Sequence, residues 1–317
     1  MKGGRKVQRS GPWSGRLALL AILLATAACE LQEITVAVPQ EVLVAEVYLR
    51  VEEDAGEGLA LLHWSGGTDP GGTREARIEV TRDDGARATF QEVAPEECHD
   101  LLPEEDFFTA CFRLPPEDGE LVRPGARFDL EVSLPGGEFL EGRTIIPGDF
   151  ELLSPRPQGG ACRLAPRSLL PLEWTPSAGV WAYVPEVELR GIRAALEEEG
   201  IEVVNDPLIL LGLAISEADT SILFPSQFGV FRRFSGDREL LLALQGGLPT
   251  GVRARVLISA LDRNATNWSR GGSFNPSGQV RTPSLFGDGT GVFASLVIRE
   301  LEVEVEEGEE SNLPSCS

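Results

Sequence analysis

The sequence predicts an all-β protein of two antiparallel β-sandwiches, and three observations carry that reading. Apolar and polar residues alternate at period two over most of the first 150 residues. Turn-forming clusters bound these runs at short intervals, and no helix of ordinary length is readable before residue 150. Alternation is what a strand needs when one face is buried and the other wet, and many short strands between turns build a sandwich of the immunoglobulin-like kind.

The chain opens on a segment that reads as an export leader. Residues 1–16 carry Lys2, Arg5, Lys6, Arg9 and Arg16 and no acid, and residues 17–28 are a short apolar run ending in small side chains. That run is well below the roughly 20 residues a spanning helix needs. Thr26, Ala27, Ala28 and Cys29 resemble a bacterial lipobox, in which the cysteine receives diacylglycerol and becomes the first residue of the mature protein. Thr26 departs from the usual Leu. Cleavage by the general signal peptidase at Ala25-Thr26-Ala27 is the alternative, and lipidation of Cys29 is the favoured outcome. Glu30 follows the cysteine, and by resemblance to other lipoproteins the absence of Asp there favours the outer membrane.

Residues 29–153 form the first expected sandwich. In "EVLVAEVYLRV" the apolar set is Leu43, Ala45, Val47, Leu49 and Val51, with Glu46, Tyr48 and Arg50 opposite. "ARIEVTRDDGARATFQEV" puts Ile78 and Val80 on one face, turns at "DDG" and continues inward at Ala88 and Phe90, which is a hairpin pattern. "GARFDLEVSLPGGEFLEGRTIIP" repeats the logic with Phe128, Leu130, Val132 and Leu134, followed by a Pro-Gly-Gly turn.

Prolines and glycines in residues 154–160 predict a linker, after which residues 161–306 form the second sandwich. "SLLPLEWTPSAGVWAYVPEVEL" and "RELLLALQGGLPTGVRARVLISALDRN" resemble a fibronectin type III domain. The resemblance implies a core tryptophan at Trp174, a Leu-rich strand, and an alternating strand ending in Ala260, Asp262 and Asn264. Gly251 departs from it, standing where that family has a turn-pinning Tyr. Trp181 is also expected in the core. An insertion at about 191–233 contains one readable helix, with Ile192, Ala195 and Leu196 on a face and Gly200 as its stop. The apolar stretch after it either completes the core or presents a docking surface, and core completion is the commoner outcome. Residues 307–317 form an acidic tail tied down by Cys316.

The formal charge is −22 with 50 acidic residues, and both lysines lie in the leader. Such a surface repels nucleic acid, whose binding depends on neutralising phosphates. Besides Cys29 there are four cysteines, an even number that in an exported chain reads as disulfides. Of three possible pairings, Cys98–Cys111, closing a short loop, and Cys162–Cys316, tying the tail to the second half, are expected. Catalysis finds little purchase. The only histidines are His63 and His99, no G-x-S-x-G occurs, and no C-x-x-C suggests zinc. Acid pairs are too abundant to single out a glycosidase. "FGDGTG" lacks the strand-then-helix setting of a phosphate loop, and "DDG" and "GDG" fall short of a calcium loop. No metal or cofactor is expected.

"LVAEVYLRVEED", "LVRPGARFDLEVSLPGGEFLEGRTIIP" and "NPSGQVRTPSLFGDGTGVFASLVIREL" together resemble a family of bacterial outer-membrane lipoproteins built on a domain of unknown function. The resemblance implies an envelope setting, often beside receptors that import nutrients, and supplies no catalytic residue. The expectation is therefore a non-enzymatic lipoprotein on the outer membrane, acting as a binding or assembly module with another envelope protein as partner. The second reading is a carbohydrate-binding or carbohydrate-processing component, with Trp268 in "NATNWSRGG" as its loop platform.

Overall fold

The computed structural model describes residues 41–53, 55–66, 72–98, 109–156, 160–212, 218–229, 237–270, 281–306 and 313–316. The leader and Cys29 lie outside the described residues. Residues Glu41–Ser317 cluster as one compact unit.

The alternating runs are strands. β1 (Leu43–Glu52) buries every second residue, and Leu43, Ala45, Val47 and Leu49 are fully enclosed. It pairs antiparallel with β2 (Ala55–Trp64), which pairs with β6 (Ala110–Arg113), which pairs with β5 (Gln91–Val93). β3 (Arg77–Arg82), β4 (Arg87–Thr89), β7 (Arg127–Ser133), β8 (Phe139–Ile145) and β17 (Leu285–Gly287) form a second sheet in the order β17-β8-β7-β3-β4. Its inward residues Ile78, Val80, Phe128, Leu130, Val132 and Leu140 join the core beneath β1.

The second half is assembled the same way. β12 (Ala182–Arg190) and β16 (Arg253–Leu261) extend the first sheet, and β9 (Leu152–Ser154), β11 (Leu170–Trp174) and β14 (Ser221–Phe224) form a three-stranded sheet. Val252, Ala254, Val256, Ile258 and Ala260 are buried, as their alternation predicts. Trp174 is fully buried with its ring edge-on to Tyr183 at 5.4 Å, and Tyr183 meets Phe150 at 5.8 Å. The Tyr183 hydroxyl accepts from the Ser177 amide at 2.6 Å.

The two halves are joined by more than a connecting segment. β18 (Gly289–Val305) pairs parallel with β1 through its first ten residues and antiparallel with β16 from Leu296 to Glu304. Its end also pairs with β10 (Ala161–Leu164), so one ten-stranded sheet runs through both halves. The boundary expected at 154–160 is crossed by β9, whose Leu152 and Ser154 pair with β11 of the second half, and residues 157–159 lie outside the described residues. Gly289 and Gly291 of "FGDGTG" serve this junction. A Cβ on Gly291, at φ +145, would sit 1.8 Å from the Ala45 carbonyl oxygen, so only glycine lets the two backbones approach there.

The insertion completes the core. Helix α1 (Ile192–Glu197) buries Ile192 and Leu196 and stops where Gly200 adopts φ +75. β13 (Leu208–Gly212) adds to β12, β14 adds to β11, and β15 (Phe228–Gly229) pairs with β13. Leu208, Leu210, Ile222, Phe224 and Phe228 are buried.

Two segments depart from expectation. "RELLLALQ", expected as a Leu-rich strand, is helix α2 (Asp237–Gln245), with Leu240 and Leu244 buried one turn apart and Leu242 exposed. "RNATNWSR" is helix α3 (Arg263–Arg270), so Trp268 sits on a helix and not in a loop.

Both expected disulfides form. Cys98–Cys111 spans a Cα separation of 6.3 Å and seals Leu59 and Leu61 on the outer face of β2. Cys162–Cys316 spans 5.0 Å and holds the chain end beside β10, where the Cys316 amide donates to the Arg163 carbonyl. No helix among the described residues is long and apolar enough to cross a membrane.

Candidate functional site

The outer face of the five-stranded sheet carries an open concavity. Strand register puts Thr89, Glu79, Glu131, Glu141 and Phe286 in one row across β4, β3, β7, β8 and β17. A second row holds Arg87, Thr81, Asp129 and Arg143. Arg77 and Arg87 bond to the two Glu79 oxygens at 2.8 and 3.1 Å, and the Arg77 hydrogen bond is the main reason that carboxyl lies below its usual range. Arg143 bonds Asp129 at 2.5 Å. Glu131 and Glu141 face each other as a cross-strand pair, an arrangement of like charges that weakens a sheet.

Helix α3 and residues 282–286 wall this face into an open cleft of about 810 Å³, lined also by Arg263, Asn264, Asn267 and Ser284. The wall is fixed by a buried polar junction. Thr144 Oγ1 donates to Asp262 Oδ2 at 2.6 Å and lies 2.8 Å from Ser295 Oγ. Asp262 Oδ1 accepts from the Ala265 amide at 2.7 Å, capping α3. Burial pushes the Asp262 carboxyl above its ordinary value, while the bond from Thr144 and the backbone amides pull the other way. The Asn264 side-chain amide donates to the Arg143 carbonyl at 2.8 Å and to the Phe293 carbonyl at 2.7 Å, binding the helix to β8 and β18. Ser284 Oγ accepts from the Phe293 amide at 2.8 Å and holds the other wall. Phe286, at the cleft edge, is 62% exposed.

Trp268, the ligand-binding residue expected from sequence, lies outside this cleft. Cys29 and His99 are outside the described residues, and His63 is half-buried on β2. Trp268 packs against a cluster of Leu261, Ala265, Val292 and Ala294, and the Arg281 guanidinium lies 4.8 Å from its ring centre. It does not line the cleft. Beside it, burial and the nearby Glu46 carboxylate raise the Tyr48 hydroxyl well above its usual pKa. Trp181, expected in the core, is 45% exposed, with Arg263 5.2 Å from its ring centre. "DDG" is a turn in which Asp84 accepts from Arg82 and from the Ala86 amide, which hold its carboxyl at about 2. Asp288 of "GDG" accepts from the Phe139 amide at 3.0 Å. Among the described residues no group of three His, Cys, Asp or Glu side chains is placed to hold a metal ion. Glu131, Glu141, Asn267 and Phe286 were not distinguished by sequence. Only the alternation of β7 and β8 hints at them, by putting the two glutamates on outward positions.

No protein-family model matches this chain, and no curated protein is similar enough to match it. Among solved structures, the chain is similar to one described as "Structures of Clostridium thermocellum CbhA fibronectin(III)-like modules". The identity is 8% and the TM-score 0.18, over 85% of this chain and 100% of that one.

Proposed function

We propose that the protein is a non-enzymatic cell-envelope lipoprotein, tethered to the outer membrane through acylated Cys29, that works as a binding or assembly module. In this reading it is accessory to a nutrient-import receptor, and the partner is another envelope protein. The observation that carries the proposal is the cysteine arithmetic. Of five cysteines, four are consumed in two disulfides, which belong to an oxidising compartment, and Cys29 alone is left over. It stands directly after the basic and apolar leader. Each buried acyl methylene contributes about 0.8 kcal/mol, so several chains on one residue make a stable anchor.

Fractionation of expressing cells tests the tether. The wild-type protein is expected in the outer-membrane fraction and released only by detergent. Cys29→Ser is expected as an unprocessed or detergent-independent species. A wild-type protein that is soluble without detergent would remove the proposal.

A further inference from the structure

From the cleft on the five-stranded sheet, we propose that this protein binds a neutral oligosaccharide, with Phe286 as the stacking platform and Glu131, Glu141, Arg143 and Asn267 as hydrogen-bonding groups. The inference rests on the reading of the protein as a binding module and supplies its ligand class. The charge of the cleft is the first argument. In a chain of net charge −22, this surface gathers Arg87, Arg143 and Arg263 against Asp129, Glu131 and Glu141, so its formal charges cancel. An anionic ligand meets the two glutamates, and a cation meets the three arginines. A neutral polyol meets acceptors and donors in alternation, which is what vicinal hydroxyls need.

The register supplies the second argument. Phe286 is directly opposite Glu141, which is directly opposite Glu131. A largely exposed ring therefore adjoins the Glu141 carboxylate, with Glu131 one strand further along the same row, the pairing of an apolar face and hydrogen-bond acceptors that a pyranose presents in complement. Glu131, Glu141 and Phe286 lie on three strands about 4.8 Å apart, a row of roughly 10 Å that exceeds a single ring and suits a short oligomer. The opposed glutamates are costly to the sheet, and sugar hydroxyls donating to both relieve that cost.

The test uses the mature lipoprotein, purified in a detergent without a sugar headgroup and titrated calorimetrically. The probes are cellohexaose, xylohexaose, mannohexaose and chitohexaose, with hexagalacturonate as an anionic counter-probe. Saturable binding of at least one neutral hexaose is expected, with hexagalacturonate weaker. Phe286→Ala is expected to weaken binding about tenfold or more. Glu141→Gln is expected to weaken it too while raising the melting temperature, because it removes the like-charge pair. Leu242→Ala, an exposed apolar position on α2, is expected to leave affinity within about twofold. Absence of saturable binding to every neutral hexaose overturns the proposal. So does unchanged affinity in Phe286→Ala, or tighter binding of hexagalacturonate. Because Cys29 acylation is read separately by mass, a failed titration with an acylated protein condemns the cleft alone.

Discussion

At the residue scale, Asp262 links two elements of the cleft. Its carboxylate caps α3 and bonds Thr144 on β8, so one buried side chain positions the cleft wall relative to its floor. Burial raises its pKa above the ordinary 3.8. The folded protein therefore holds this proton more readily than the unfolded chain. The sign follows: the contribution to stability is greatest in acid and is lost as pH rises from 3.8 through the folded-state value. Asp262→Asn keeps the shape and one acceptor and removes the titration. The stability of wild type relative to this variant should be more favourable at about pH 4 than at about pH 7, measured by urea unfolding at each pH. A pH-independent difference contradicts this account of Asp262.

At the element scale, the two disulfides differ in what they constrain. Cys162 and Cys316 are 154 residues apart, and Cys98 and Cys111 are 13 apart. Chain entropy makes the first link worth about 5 kcal/mol and the second about 3 kcal/mol. Replacing Cys162 and Cys316 with Ser should lower the unfolding free energy more than replacing Cys98 and Cys111, as urea denaturation would show; the reverse order contradicts it. The strands were legible because a one-sided strand writes itself at period two, as β1, β7 and β16 do. Helix α2 was not, because in "LLLAL" consecutive leucines satisfy a strand and a helix alike, and only the burial of Leu240 and Leu244 decides between them. Helix α3 is only eight residues of mostly polar character, so no apolar stripe announced it. The cleft was illegible for a different reason. Phe286 and Glu141 become neighbours only through β17–β8 pairing across the length of the chain, and no local pattern encodes that register.

At the scale of the whole molecule, β18 makes the two sandwich halves depend on each other. Its residues 296–298 pair with β1 on one side and β16 on the other. Loss of either half exposes a strand edge of the other. With both disulfides intact, calorimetry should show one transition whose calorimetric and van't Hoff enthalpies agree. Two resolved transitions contradict the shared sheet. A body of this kind becomes an envelope module only if its amino terminus is fixed to lipid, and that is the claim on which the proposed function stands. Intact-mass spectrometry of the protein extracted from membranes tests it most directly. The account predicts a chain beginning at Cys29 with the added mass of a diacylglyceryl group. A chain beginning at Cys29 or nearby with no added lipid mass, or one still carrying residues 1–28, contradicts it.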